Sequence, residues 1–313
     1  MNVYTSSKDI PFNAESCVTI GSFDGVHRGH RKILDTLTAC AAAENRRSIV
    51  ITFDPIPKRV LQNGSGLPSV LTTLEEKCEL IGQRNVDAVL VIPFDRRTAS
   101  LTARSFIEDL IKVDIGMTGL VIGHNHTLGR DARGNDKTLV ELGKQNDFTV
   151  TIVDPVVADN TVVSSTCIRK MAHEGDMKGA SRFLGYRYFV RGVVVPGKKI
   201  GRKLGFPTAN IITGSSEKLI PPDGVYAVQA ALDGNMQGAM AYIGSNPTLA
   251  QGERSFEVHV FGYNGDMYNK KMEVSFIERI RGEMKFSNVN SLRNQIMKDA
   301  TVSKEILLNM SRR

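Results

Sequence analysis

The chain has 313 residues and a mass of 34.4 kDa, a length that predicts two domains of about 150 residues each. Hydrophobic residues make up 41% and charged residues 23%, which indicates a soluble globular protein whose core needs no disulfide or metal staple. The net charge of +7 arises in residues 186–313, which hold 18 Lys and Arg against 11 Asp and Glu, but no long basic run or interleaved aromatic pattern accompanies it. The charge pattern therefore argues against nucleic acid as the main ligand.

Short apolar runs alternate with helical patterns through the first half of the chain. Strands are predicted at Ser16–Ser22, Ser48–Phe53, Asp87–Ile92, Gly119–Gly123 and Phe148–Val153. Helices are predicted at Gly29–Asn45, Thr73–Arg84, Ala103–Lys112 and Thr138–Asn146, and Thr73 with Glu76 has the spacing of a capping box. This alternation predicts an α/β domain, with a parallel sheet that carries helices on both faces.

The second half changes to short strands that are rich in valine and aromatic residues. They are predicted at Phe189–Val195, Gly224–Leu232, Gln237–Ile243, Ser255–Phe261 and Lys271–Ile280, with hairpin dipeptides at Asp233-Gly234 and Asn264-Gly265. Only Ser291–Asn309 has a helical pattern. We therefore expect a small antiparallel β-barrel with a C-terminal helix, and a domain boundary that gives residues 1–185 and 186–313.

The cysteines and the first residues indicate the compartment. Cys17, Cys40, Cys78 and Cys167 stand singly, without a CxxC pair, so neither a disulfide scaffold nor a zinc ribbon is expected. The first residues lack the basic start and apolar run of a secretion signal, and no stretch approaches the ~18 apolar residues of a membrane helix. We predict a cytoplasmic protein without a membrane partner.

The segment Thr19–His30 carries the strongest local signal, because it joins the first predicted strand to the first predicted helix through a glycine-bearing turn. His27 and His30 are three residues apart, so both imidazoles can face the same side at the first helical turn. Backbone N–H groups and the positive helix end favour an anion there, and two imidazoles suit a triphosphate whose charge moves during reaction. An HxxH pair alone is more simply a chance surface pair or a weak metal pair, whereas its position after this strand favours a nucleotide site.

The sequence GSFDGVHRGH resembles the HxGH signature of the nucleotidyltransferases and, more narrowly, the opening motif of the bacterial bifunctional riboflavin kinase/FAD synthetase family. The resemblance implies a Rossmann-like nucleotidyltransferase domain over residues 1–185. In that family the motif binds ATP, and its histidines act in catalysis. The residues that match it here are Gly21, Ser22, Phe23, Asp24, His27 and His30.

Three further segments of the first half are similar to family motifs. Thr52–Pro55 matches TFDP, and Gly123–Gly129 resembles a flavin-side loop, in which Asn125 is the implied flavin contact. The third segment, SSTCIR, resembles the SSTxIR motif, which implies that Ser165, Thr166 and Arg169 bind ATP. Taken alone, this segment could equally be a helix cap followed by a solvated arginine.

The second strong motif is Gly197–Asn210, which mixes three glycines with four basic residues after an apolar strand. Such a loop can fold backbone amides and cations over a triphosphate, and Thr208 and Asn210 offer the neutral oxygens that suit Mg²⁺. A basic surface loop with a proline turn is the plainer interpretation. However, GRKLGFPTAN closely resembles the riboflavin kinase signature. That resemblance implies ATP contacts at Gly197, Lys199, Gly205, Thr208 and Asn210, with Mg²⁺ at Thr208 and Asn210.

The resemblance continues through Gly244–Thr248, Phe256–His259 and Arg281–Phe286 to Gln295 and Asp299. It implies that Glu257 is the base that accepts the proton of the riboflavin 5′-hydroxyl, and that Arg281 lies near the flavin. Spacing alone leaves Glu257 equally open to being an outward charge on an alternating strand, and Arg281 to being a solvated cation.

The chain also departs from the family pattern at several positions. In the first half these are Ile56 and Cys167, where the family usually has His and Arg, and the loop Asn125–Gly129. In the second half they are Asn246, Gly262 and Asn269. The first group puts the rate of the adenylyl transfer in question, and the second group puts flavin affinity in question.

The resemblance implies a bifunctional enzyme of FAD biosynthesis. It would phosphorylate riboflavin with ATP to give FMN and then join FMN to AMP from a second ATP, with Mg²⁺ assisting, and FMN and FAD would be products rather than fixed prosthetic groups. Three alternatives stay open: a kinase with an inactive or altered adenylyltransferase domain, transfer of the nucleotide to another phosphorylated acceptor, and a non-catalytic flavin- or nucleic-acid-binding regulator. The sequence leaves the oligomeric state open.

Overall fold

The computed structural model describes residues 1–12, 15–61, 69–124, 126–130, 134–197, 201, 204–245, 254–263 and 265–311, with the side chains of 109, 110 and 112 outside that description. It divides into two compact units, Met1–Ser165 and Thr166–Arg313. None of the described helices combines the length and the apolar character that a membrane crossing requires.

The first unit is built on a six-stranded parallel sheet. Its strands are β1 (Asn2–Tyr4), β2 (Ser16–Ile20), β3 (Arg47–Asp54), β4 (Ala88–Pro93), β5 (Met117–Gly123) and β6 (Thr149–Val153), in the order β1-β4-β3-β2-β5-β6. All five predicted strands are present and parallel. The edge strand β1 was not predicted, because three residues are too few to show an alternating pattern.

Helices alternate with these strands, as the apolar periodicity predicted. The longer ones are α1 (Arg28–Ala43), α2 (Pro57–Leu61), α3 (Leu74–Gly82), α4 (Arg96–Ser100) and α7 (Asp136–Gln145). Thr73 and Glu76 form the predicted capping box at the start of α3. The predicted helix Ala103–Lys112 is instead composite, with α5 (Ala103–Ser105), a π-helix (Phe106–Lys112) and α6 (Val113–Ile115) in succession. A two-stranded ribbon of β7 (Val157–Ala158) and β8 (Thr161–Val162) follows the sheet.

The second unit contains a closed antiparallel barrel. Its strands are β9 (Phe189–Val195), β10 (Ala209–Thr213), β11 (Gly224–Leu232), β12 (Asn235–Gly244), β13 (Ser255–Val260) and β14 (Lys271–Arg281), in the order β10-β13-β12-β11-β14-β9. Asp233 and Gly234 both have positive φ, as the predicted hairpin turn requires, and Asn264 lies outside the described residues. The chain ends in α10 (Val289–Ser311), which packs on β11, β12 and β14.

Two helices of the second unit were missed in the sequence. They are α8 (Ser165–Glu174) and α9 (Met177–Leu184), and α9 packs on β14, where Lys178 pairs with Glu278 at 2.6 Å. In the structure α9 and most of α8 therefore belong to the same compact unit as the barrel. The sequence predicted the boundary at residue 185, where helices and buried strands give way to short antiparallel strands. The boundary between the two catalytic domains stays a prediction.

Candidate active sites

The turn after β2 forms the centre of the first candidate site. Phe23 and Val26 have positive backbone φ angles of 47° and 32°, which residues other than glycine rarely adopt. Both side chains are buried. A Cβ on Gly21 would lie 3.1 Å from the ring of Phe23, so a glycine at this position lets that ring pack closely against the backbone. The turn leads directly into α1, whose N-cap is His27.

His27 and His30 come together as predicted. His27 caps α1, where its Nδ1 accepts a hydrogen bond from the backbone N–H of His30 at 3.3 Å. The two imidazoles stack with their centroids 3.6 Å apart, and Phe23 contacts the His30 ring edge-on at 5.1 Å. The N-terminus of α1 thus presents two stacked imidazoles beside the backbone N–H groups of its first turn, an arrangement suited to phosphate.

The electrostatics of this site favour a neutral His30. Burial lowers the pKa of His30 well below 6.5, and the adjacent His27 and Lys77 lower that pKa further. The buried Nδ1 of His30 has no hydrogen-bond partner among the residues that the structure describes. A polyanion entering the site would favour the protonated ring, because opposite charge raises the pKa of an imidazole.

Asp24 is fully buried, and its carboxylate accepts hydrogen bonds from the backbone. Its Oδ1 accepts hydrogen bonds from the backbone N–H groups of Leu71 at 2.9 Å and Thr72 at 3.1 Å. The Thr72 hydroxyl accepts from the N–H of Gly25 at 3.0 Å. Asp24 therefore ties the turn to the segment before α3, and its predicted ATP contact stays a prediction.

The SSTxIR segment begins α8. Ser165 donates a hydrogen bond from its hydroxyl to the Asp24 carbonyl at 2.8 Å. This bond links Ser165 to the turn after β2 that leads to His27, which we call the histidine turn. Thr166, Cys167 and Arg169 belong to the second compact unit, and their predicted part in the first site stays a prediction. Arg169 is 9% exposed, so the alternative of a solvated arginine after a helix cap is wrong.

The predicted flavin-side loop is described in part. Asn125 lies outside the described residues, and Gly129 adopts the left-handed conformation at φ 77°. His126 is half-buried, its buried Nε2 has no hydrogen-bond partner within the described ranges, and desolvation lowers its pKa. Ile56, the departure after the TFDP motif, is buried at 4% exposure in the first unit.

The second candidate site lies on strands β10, β12 and β13 of the barrel. Glu257 is flanked by Asn210 on β10 and by Tyr242 on β12, each directly opposite in the strand pairing. The hydroxyl of Thr208 donates a hydrogen bond to Glu257 Oε2 at 2.9 Å, and Ser255 donates to Oε1 at 3.3 Å. The structure thus brings together Glu257, Thr208 and Asn210, which the sequence separates by almost fifty positions.

Glu257 is an outward-facing residue on an alternating strand, because its neighbours Phe256 and Val258 point into the barrel core. It is nevertheless half-buried. Glu257 therefore faces outward, as the alternating pattern of the strand predicted. Its hydrogen bond with Thr208 is a contact that a fully solvated surface charge would lack.

The glycine-rich segment of this site is described only in part. Gly197 allows the chain to approach β10, because a Cβ there would overlap the side-chain amide of Asn210. Gly205 has a positive φ of 89°, which favours glycine. Lys199 and Asn246 lie outside the described residues. Gly262 and Asn269 occupy left-handed turn positions at φ 71° and 59°, which accounts for these residue types there.

Arg281 forms an ion pair with the buried carboxylate of Asp299. Its guanidinium donates to both carboxylate oxygens of Asp299 at 2.8 to 3.1 Å, and Gln295 donates to the same carboxylate at 2.8 Å. These contacts join the end of β14 to α10. The alternative of a solvated cation is therefore wrong, and the predicted position of Arg281 near flavin stays a prediction.

Sequence reasoning missed two residues that contact these sites. His259, on the same face of β13 as Glu257, shares a hydrogen bond of 2.8 Å between its Nδ1 and the Pro207 carbonyl, and its ring contacts Phe206. Lys77 lies buried beside the histidine turn. The apolar periodicity of helix α3 placed position 77 on the buried side, and a lysine there was the available signal.

Acidification is expected to lower the free energy of unfolding. Burial is the largest cause that lowers the pKa values of His30, His126 and His259 from 6.5. A histidine whose pKa is lower in the folded chain takes up a proton on unfolding, so the stability present above pH 6.5 is lost as the pH falls below that value. Urea denaturation at about pH 7.5 and about pH 5.5 measures the difference.

The variant His126→Phe should weaken this pH dependence, because a phenyl ring fills similar space and does not titrate. The matched control is His173→Phe, since His173 is exposed on α8. A pH dependence that is equal in the two variants would contradict the assignment for His126.

Comparisons with known proteins cover both units. A family model described as FAD synthetase matches residues 9–167, and one described as riboflavin kinase matches residues 184–307. Curated relatives named bifunctional riboflavin kinase/FMN adenylyltransferase match over nearly the whole chain. The one from Buchnera aphidicola (Schizaphis graminum) is 37% identical over 94% of both chains, and the one from Bacillus subtilis is 34% identical over 91% of this chain and 90% of the relative.

A solved structure supports the fold. A crystal structure described as a macrolide-efflux protein from Streptococcus pneumoniae has a TM-score of 0.88 and 31% sequence identity, over 96% of this chain and 98% of that one. The parallel sheet and the closed barrel therefore belong to a fold that has been observed before.

Proposed function

The chain belongs to the bifunctional riboflavin kinase/FMN adenylyltransferase family, and we propose how its two sites perform the two transferase reactions. The barrel converts riboflavin and ATP into FMN and ADP. The histidine site then joins FMN to AMP from a second ATP, which gives FAD and pyrophosphate. The observation that carries the kinase assignment is the contact of Thr208 with Glu257 at 2.9 Å, with Asn210 directly opposite Glu257 on the neighbouring strand.

In the kinase step the riboflavin 5′-hydroxyl attacks the γ-phosphorus of ATP, and ADP leaves. Glu257 accepts the proton of that hydroxyl as the new O–P bond forms. The hydrogen bonds from Thr208 and Ser255 hold its two carboxylate oxygens in place, which reduces the reorganisation needed during transfer.

Mg²⁺ fits the donors of this site. Thr208 and Asn210 supply neutral oxygens next to a carboxylate, the hard ligand type that Mg²⁺ prefers alongside phosphate oxygens. We propose that these two residues hold the ion together with ATP. When bound, Mg²⁺ neutralises the charge of the transferred phosphoryl group.

In the adenylyl transfer a phosphate oxygen of FMN attacks the α-phosphorus of ATP, and pyrophosphate leaves. His27 and His30 stabilise the charge that develops on the phosphate oxygens, and no covalent enzyme intermediate is needed. Their stacked rings at the N-terminus of α1 support this role, since imidazoles carry ring N–H donors and the helix N-terminus contributes positive potential.

We propose that the protein is a cytoplasmic enzyme and that riboflavin, FMN and ATP are its small-molecule partners. The four cysteines all lie within the described residues and are free thiols. FMN and FAD leave as products.

A time course of products tests the proposal. Riboflavin, excess ATP and Mg²⁺ are incubated with the purified chain, and FMN and FAD are separated by chromatography. FMN is expected first, followed by FAD. FMN that accumulates without FAD would favour a kinase with an inactive first domain, and neither product from folded protein would favour the non-catalytic regulator. Replacing FMN by other phosphorylated acceptors tests the remaining alternative.

A further inference from the structure

Lys77 is a buried cation next to the histidine site. It lies on α3, is 2% exposed, and donates from Nζ to the hydroxyl of Thr52 and to the carbonyl of Phe53, both at 3.2 Å. Both acceptors are neutral. A buried ammonium is costly to desolvate, so its presence among neutral acceptors calls for an explanation.

The contacts of Lys77 extend to the turn after β2. Thr52 accepts from Lys77 and donates from the same hydroxyl to the carbonyl of Ser22 at 3.2 Å. A continuous chain of hydrogen bonds therefore runs from α3 through the end of β3 to the turn. Asp24 ties the other end of the same turn to Leu71 and Thr72, which precede α3.

The turn needs this support because its backbone is strained. Phe23 and Val26 adopt left-handed conformations that favour glycine, and such conformations persist only where the surroundings determine them. The residues that follow are His27, which caps α1, and His30, which stacks on it. A shift of the turn would therefore move both imidazoles together.

We propose that Lys77 is a positioning residue of the adenylyltransferase site, which holds the turn Gly21–Asp24 through Thr52 so that His27 and His30 keep their stacked arrangement. This inference rests on the proposed function of the two histidines. Lys77 acts through Thr52 and through its charge, and it makes no contact with the reacting atoms.

The charge of Lys77 adds a second effect at the same site. Lys77 lowers the pKa of His30, after burial and His27. Burial lowers the pKa of Lys77 itself, and the charges of Asp24, Asp54 and Cys78 oppose that shift. Removal of the ammonium should therefore raise the pKa of His30. A purely structural lysine would leave that pKa unchanged.

The test compares Lys77→Met with Lys144→Met, which makes the same change on an exposed position of α7. We expect Lys77→Met to lower kcat/KM for FAD formation from FMN by about 10- to 100-fold, mainly through kcat. The acid limb of the pH profile should move to higher pH, and NMR titration of the His30 ring should show the same rise. FMN formation from riboflavin should stay within about twofold, which verifies the second unit in the same sample.

Thr52→Val tests the connection and serves as the second variant if Lys77→Met does not fold. It should lower FAD formation about tenfold, Thr52→Ser should not, and the double variant should be no worse than Lys77→Met alone. Independent, multiplying effects or activity equal to Lys144→Met would overturn the proposal. If His30→Ala stops FAD formation while Lys77→Met does not, only this inference fails; if His30→Ala leaves FAD formation intact, the site assignment itself fails.

Discussion

Replacing Glu257 by glutamine is expected to lower FMN formation by about 100- to 10,000-fold, while FAD formation from supplied FMN continues. The amide cannot accept the proton of the riboflavin hydroxyl at neutral pH, yet its oxygen can still accept the hydrogen bond from Thr208. The variant therefore removes the base with little change in shape. Initial rates of FMN formation, measured at saturating riboflavin and ATP, give the effect on kcat.

The matched control is Glu273→Gln, because Glu273 lies on β14 of the same barrel and pairs with Arg191 at 2.8 Å. A partly exposed ion pair contributes little, so this variant should keep FMN formation within about twofold of the native rate. The assignment of Glu257 as the base would be wrong if its variant and the Glu273 variant formed FMN at similar rates.

The histidine variants should show the opposite pattern. His27→Asn and His30→Ala are each expected to lower FAD formation by about 100- to 1,000-fold and to spare FMN formation, because each removes an imidazole that stabilises the developing phosphate charge. Asparagine is chosen at position 27 because its side chain can still cap α1, a role that alanine would lose. Rates of FAD formation from FMN and ATP provide the measurement.

His173→Ala provides the comparison for these variants, since His173 is exposed and outside both proposed sites. FMN formation in the same preparation reports on the second unit, and the melting temperature reports on the first. The prediction would be falsified if either histidine variant lost the kinase reaction while remaining folded.

Most helices and strands of both units were predictable from the sequence, because each of these elements buries one apolar face. The alternation of Phe256, Val258 and Val260 with polar neighbours predicted β13, and the capping box at Thr73 predicted the start of α3. Strand β10 was missed because Ala209–Thr213 is short and overlaps a binding motif. It becomes a strand through pairing with β9 and β13, which are distant in sequence.

The candidate sites were predictable where a motif is local. His27 and His30 share one helical turn, so their spacing predicted that both imidazoles face the same side, and the structure adds that they stack. The role of Asp24 was not predictable in this way, because its carboxylate is satisfied by backbone N–H groups at positions 71 and 72. Similarly, Arg281 binds Asp299 through a contact that joins a strand to the terminal helix.

By itself the sequence determined the two kinds of domain and their order along the chain, and it supplied the motif residues that we propose for both sites. Periodicity and turn chemistry act over a few residues, which is the range that a sequence pattern records. Only the tertiary structure decided that Thr208 donates a hydrogen bond to Glu257 and that Lys77 donates one to Thr52. Those contacts depend on which strands become neighbours in a closed barrel or a parallel sheet, and that choice is made by packing across the whole unit.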